Sequence, residues 1–113
     1  MIVSEREIQE FCDRLVKEFN PDKVILFGSY ARGEQREWSD VDIMVVMPFE
    51  GRSFDKEMEM INQLDAPSFC DLRAIQPALL DKRYREFDSV ANDVIKNGKV
   101  LYDRYTPSLD KKS

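Results

Sequence analysis

The 113-residue chain contains no histidine. That excludes Ser-His and Cys-His nucleophilic pairs, His-ligated zinc and any imidazole base. Whatever chemistry it performs must run on carboxylates, hydroxyls, cations or a metal held by oxygen. Cysteine is nearly as scarce: Cys12 and Cys70 sit alone in apolar patterns, with neither zinc spacing nor a disulfide framework, and read as small buried hydrophobes. Positive charge is also short, with 17 Lys and Arg against 22 Asp and Glu and a net charge of −5, which argues against gripping long DNA or RNA through phosphates. No apolar run approaches the roughly 20 residues that span a bilayer. The opening MIVSEREIQEF lacks the basic segment and apolar block of a secretory signal, so the expected location is the cytoplasm, with no membrane partner. Repeats, low-complexity tracts and interdomain linkers are absent. An apolar content of 42% suffices for one modest core, as expected of a single domain of this length.

Helix and strand periodicities alternate along the chain. Ser4 followed by Glu7 is a capping-box pattern, and Ile8, Phe11, Cys12, Leu15, Val16 and Phe19 keep helical spacing until Asn20-Pro21. KVILF, residues 23–27, reads as a buried strand closed by Gly28, and VDIMVVM, residues 41–47, as a second. Ser53 is placed to cap a helix with apolar positions Phe54, Met58, Ile61 and Leu64. SFCDLRAI, residues 68–75, is a third strand. A short helical turn is expected at Pro77, then a longer helix carrying Phe87, Val90, Ala91, Val94 and Ile95, capped by Asn97-Gly98. KVLY, residues 99–102, offers a last strand. The order α-β-α-β-α-β-α-β describes one α/β layer domain over residues 1–105, with a disordered tail expected over 106–113.

The chemistry concentrates in GSYARGEQREWSDVD, Gly28 to Asp42. A strand runs into Gly28-Ser29, where a glycine allows a ligand close to the backbone and backbone N–H groups with the Ser29 hydroxyl can hold a phosphate oxygen. Asp40 and Asp42, at i and i+2, share one face of the next strand about 7 Å apart. Two such carboxylates repel unless a cation sits between them, and hard oxygen ligands suit Mg²⁺. Asp71, inside the apolar run of the third strand, is costly there unless paired or metal-bound. If strands 41–47 and 68–75 are neighbours, Asp71 completes a cluster able to hold two metals and to stabilise a phosphoryl or nucleotidyl displacement.

Gly28-Ser29, ten residues and Asp40-x-Asp42 resemble the signature of the DNA polymerase β-like nucleotidyltransferase superfamily, and GSYARGE…SDVDIMVV resembles its prokaryotic minimal nucleotidyltransferases. The likeness covers most of the chain. It implies a single-domain nucleotidyltransferase fold of the α/β (α+β) kind, a small mixed sheet with helices packed on it. It further implies ATP as substrate and Mg²⁺, two ions, as cofactor. By position, Gly28 and Ser29 would contact the triphosphate, Asp40 and Asp42 the metals, and Asp71 would be the third carboxylate, binding metal and activating the attacking hydroxyl. Arg32, and also Arg73, would help neutralise phosphate; Arg73 equally suits a salt bridge with Asp71 on the same strand face.

With 42 residues after Asp71, too few for the acceptor-holding domains of the larger relatives, the acceptor is expected to be small or presented by another chain. The resemblance implies an antitoxin that transfers AMP from ATP to a tyrosine of a partner HEPN RNase toxin, releasing pyrophosphate and silencing the toxin. Two alternatives remain: a binding module that neutralises its partner by occlusion, and a transferase acting on a small molecule or nucleic acid. Other features read as structural. Trp38 is expected to pack beneath the acidic loop, with stacking on a base as the alternative. Met44, Met47, Met58 and Met60 read as core or half-core fillers. Arg83, Tyr84 and Arg85 make a basic-aromatic patch too small for a nucleic-acid site.

Overall fold

The computed structural model describes residues 2–106. It opens with helix α1, Glu5–Phe19, whose start is fixed by the capping box read from sequence: the Glu7 N–H donates to Ser4 Oγ at 3.1 Å and the Ser4 N–H to Glu7 Oε1 at 3.0 Å. Asn20, in the left-handed region at φ 49°, ends it. Strand β1 is Lys23–Phe27, followed by the one-turn helix α2, Ser29–Arg32, and strand β2, Val41–Val46. Helix α3, Ser53–Leu64, leads to strand β3, Cys70–Ile75. Helices α4, Pro77–Arg85, and α5, Ser89–Asn92, then run through a π-helical turn, Asp93–Asn97, into strand β4, Lys99–Asp103.

The four strands form one mixed sheet in the order β3-β2-β1-β4. β1 is antiparallel to β2 and to β4, whereas β2 and β3 are parallel. Strand alternation gives the sheet two different sides. Val24, Leu26, Val41, Ile43, Val45, Leu72 and Ala74 face α1 and α3, meeting Ile8, Phe11, Cys12, Leu15, Met60 and Leu64 in the main core. Ile25, Phe27, Met44, Val46 and Ile75 face the other way, covered by Leu80 of α4, Ala91 of α5 and Val94 of the π-turn. The resulting mixed sheet with packed helices is the fold class expected from sequence.

Several local expectations are corrected. Ser53 is the first residue of α3 rather than its cap, which is Arg52 with no side-chain cap bond. The buried side of α3 is set by Met60 and Leu64, with Glu57 on the same stripe accepting from the Ala74 N–H at 2.9 Å; this contact with edge strand β3 turns Phe54 and Met58 outward. The expected short turn at Pro77 is a nine-residue helix. The expected long helix is instead interrupted: Phe87, at φ 62°, is exposed, and Asp88 restarts the chain as a cap by accepting from the Ala91 N–H. Gly98 is not a left-handed cap, lying at φ −69°. It is glycine because a Cβ would strike the Val94 carbonyl oxygen and Ile25 Cγ2. Cys70 is half-buried rather than buried. Trp38 is 79% exposed and does not pack beneath the loop. Apart from Thr106, the expected tail lies outside the described residues.

Candidate active site

Register brings the carboxylates together. In the parallel pair β2–β3, Asp42 stands directly opposite Asp71, and across the sheet Phe27, the residue before Gly28, pairs with Asp42. Gly28, Asp42 and Asp71 therefore line up across three adjacent strand ends, on the side of the sheet covered by α4, α5 and the π-turn. Asp40 precedes β2 by one residue and is exposed. The close approach explains the glycine: Gly28 sits at φ 73°, and a Cβ there would overlap Asp42 Oδ2.

The electrostatics match that crowding. Burial first, then the charge of Asp71, a hydrogen bond with Asp71 and the charge of Asp40 push the Asp42 carboxyl up to about 6, with Arg73 pulling the other way. Crowded, half-buried carboxylates of this kind hold their protons to higher pH than isolated ones. Among the described residues, no three Asp, Glu, Cys or His side chains are arranged to surround one metal ion as they stand. The donor set nevertheless fits Mg²⁺: the side chains gathered here offer hard oxygens without nitrogen, and their mutual repulsion is what a divalent ion relieves. Cys70 is no competing soft ligand at neutral pH, because burial and the charges of Asp71, Asp42 and Asp40 push its thiol up to about 12.

The other expected residues are placed as follows. Ser29, half-buried, opens α2, and its hydroxyl has no hydrogen bond within the described residues. Tyr30 is buried, its hydroxyl accepting from the Val3 N–H at 3.0 Å, which ties α2 to the start of the chain. Arg73 Nε lies 3.5 Å from Asp71 Oδ1, the salt bridge anticipated from their spacing. Arg32 is not a free cation: it donates to both oxygens of Asp93 at 2.9 and 3.0 Å and to Glu34 at 3.1 Å. Asp93 is the site neighbour that sequence reasoning missed, since it reads as one more polar position on a helix. Beyond Asp71 on the same side, a cavity of about 270 Å³ lies between Met44, Arg73 and Ile75 of the sheet, Glu57 of α3 and Leu79 and Arg83 of α4.

The glycine-serine turn thus lies at adjacent strand ends with the facing Asp42 and Asp71, and Asp40 just precedes β2. A family model for the nucleotidyltransferase domain matches residues 5–101, and the chain belongs to that family. A Methanocaldococcus jannaschii protein, named by inference as a protein adenylyltransferase, is 33% identical over 102 residues, covering 87% of this chain and 97% of that one. Among solved structures, a Sulfolobus solfataricus protein described as a nucleotidyltransferase aligns with TM-score 0.62 at 24% identity, covering 86% of this chain and 78% of that one. The minimal nucleotidyltransferase antitoxin complexed with the tri-AMPylated HEPN toxin of Shewanella oneidensis gives a TM-score of 0.50 at 17% identity, over 96% of this chain and 78% of that one. The resemblance to nucleotidyltransferases is thus borne out, and the chain is a nucleotidyltransferase.

Proposed function

We propose that this protein is a Mg²⁺-dependent protein adenylyltransferase, an antitoxin that transfers AMP from ATP to a tyrosine hydroxyl of a HEPN-family toxin. The observation that carries the reading is the Asp42–Asp71 pair facing each other across β2–β3 beside Gly28. Asp40, Asp42 and Asp71 would hold the metal, which when bound supplies charge neutralisation at the α-phosphate and its leaving group. Gly28, lacking a Cβ, and the unengaged Ser29 hydroxyl would take the triphosphate. The phenolic oxygen would bond to the α-phosphorus as the bond to the pyrophosphate oxygen breaks. Its proton would pass to Asp71 and then to water. An in-line displacement puts the acceptor opposite the departing pyrophosphate. With the triphosphate over the end of β1, the acceptor side is β3, where the cavity beyond Asp71 lies. Arg32 would reach phosphate only by exchanging partners, so its role in nucleotide binding is indirect in this reading.

The names of relatives support the acceptor class: the M. jannaschii protein is named for protein adenylylation, and the Shewanella complex contains an AMP-modified HEPN toxin. Intact-mass spectrometry of the candidate toxin after incubation with this protein, Mg²⁺ and each nucleoside triphosphate separately tests the reading. A gain of one or more AMP units, lost with Asp42→Asn, is expected. A stable complex with no mass gain for any nucleotide would instead favour neutralisation by occlusion, and turnover on a small molecule or RNA would replace the acceptor.

A further inference from the structure

The glycine-serine turn is built from parts that cannot hold themselves. α2 has four residues, a single turn, far below the length at which a helix is stable on its own. Gly28 lies in a region of backbone space that gives no conformational guidance. Something outside the motif must therefore fix the turn against Asp42. One tether is Tyr30, anchored at the chain start. The other is Asp93, 65 residues further on, which accepts the Gly28 N–H at 3.1 Å and grips Arg32 with both carboxylate oxygens. Asp93 is itself held. Asn97 Nδ2 donates to it at 3.1 Å, and the π-helical turn that carries it is pinned by buried Val94 and by Gly98, where no Cβ fits. π-turns of this kind re-aim a side chain out of ordinary helical register.

We propose that Asp93 is a positioning residue for the triphosphate-binding turn. Its carboxylate clasps the Gly28 N–H and Arg32, holding Gly28 and Ser29 toward Asp42. Arg32, satisfied by Asp93 and Glu34 together, serves the clasp and carries no spare positive charge for phosphate. This inference rests on the reading that the site binds a nucleoside triphosphate.

The test is calorimetric titration of the full chain with Mg-ATP and, separately, with AMP. Wild type, Asp42→Asn, Asp93→Asn, Asp93→Ala, Arg32→Gln and the Asp93→Ala/Arg32→Gln double variant are compared, with melting curves to certify folding. Loss of hydrogen bonds to a charged group predicts that Asp93→Ala weakens Mg-ATP about tenfold or more. AMP, which lacks the β- and γ-phosphates held by the turn, should be unaffected. Asp93→Asn keeps an acceptor for Gly28 but loses the ion pair, so it falls between, and it serves if the alanine variant does not fold. Because Arg32 acts through Asp93, the double variant should be no weaker than Asp93→Ala. Unchanged Mg-ATP affinity in both Asp93 variants would overturn the proposal. So would tighter binding, which would make Asp93 a competitor of the triphosphate, or an additive double variant, which would make Arg32 a phosphate ligand. If wild type binds no Mg-ATP, the functional reading itself falls.

Discussion

The two sides of the sheet are built to different standards. The side facing α1 and α3 gathers sixteen buried residues among those described, whereas the side facing α4, α5 and the π-turn gathers eight, so the stability of the domain rests mainly on the first. Its strand residues, Val41, Ile43 and Val45 of β2 with Leu72 and Ala74 of β3, are aliphatic throughout. On the second side β2 begins with Asp42 and β3 with Asp71 and Arg73, and only then do they become apolar, through Met44, Val46 and Ile75. One pleat thus separates a dry core from a polar site. The fold concentrates burial on one face and leaves the strand ends of the other free to carry charge that would be intolerable in a core.

The sharpest break in that comparison is Asp42→Asn. It removes the central carboxylate of the cluster without changing side-chain shape, and AMP transfer, read by intact mass, should fall by at least about a hundredfold with the fold retained. Gly28→Ala should follow closely: its φ of 73° and the overlap of a Cβ with Asp42 both oppose the change. We expect lost Mg-ATP affinity in titration, with a destabilisation of about 1 kcal/mol or more. The opposite side is probed by Leu15→Ala. Leu15 is fully buried, and its truncation should lower stability in chemical denaturation by about 2–5 kcal/mol. Turnover of the fraction that stays folded should be unchanged. Leu80→Ala, on the thinner side and 7% exposed, should sit at or below the low end of that range, because an open neighbouring cavity leaves less packing to lose. If Leu80→Ala proved as costly as Leu15→Ala, the two sides would not differ as described.

How much of this was legible in the sequence follows the range of each interaction. α1 was legible in full, since its cap and stripe are local: Ser4 with Glu7, then Ile8, Phe11, Cys12 and Leu15. The glycine-serine turn and the aspartates were legible because their spacing is itself the motif, and the neighbouring of β2 and β3 was the one long-range condition it needed. What was not legible depends on contacts made at a distance. Nothing in DVIKN says that Asp93 reaches Arg32, 61 residues earlier. Phe87 reads as the apolar start of a helix, yet it occupies a left-handed backbone position and points into solvent. In α3, periodicity located a helix, but Glu57 bonding to the edge of β3 decided which stripe turned inward.

The smallest expected effect separates function from stability within the site. Asp42 has its carboxyl raised to about 6 from an ordinary value of 3.8. Between those values the native state holds more protons than the unfolded one, so metal-free stability falls as pH rises through the window, and the full penalty applies above about pH 6. Asp42→Asn carries no such penalty. The variant should match wild type in melting curves near pH 4 and exceed it near pH 8 by on the order of 1 kcal/mol, the nominal shift being discounted for the partial solvent screening of the site. Mg²⁺ should raise wild-type stability near pH 8 while leaving Asp42→Asn almost unmoved, and its apparent affinity should weaken as pH drops below about 6, where a proton competes for the same oxygens. A variant less stable than wild type near pH 8 without Mg²⁺ would place Asp42 among the residues that hold the fold together. A more stable one would show that this side of the sheet gives up stability to keep a charge cluster ready for metal.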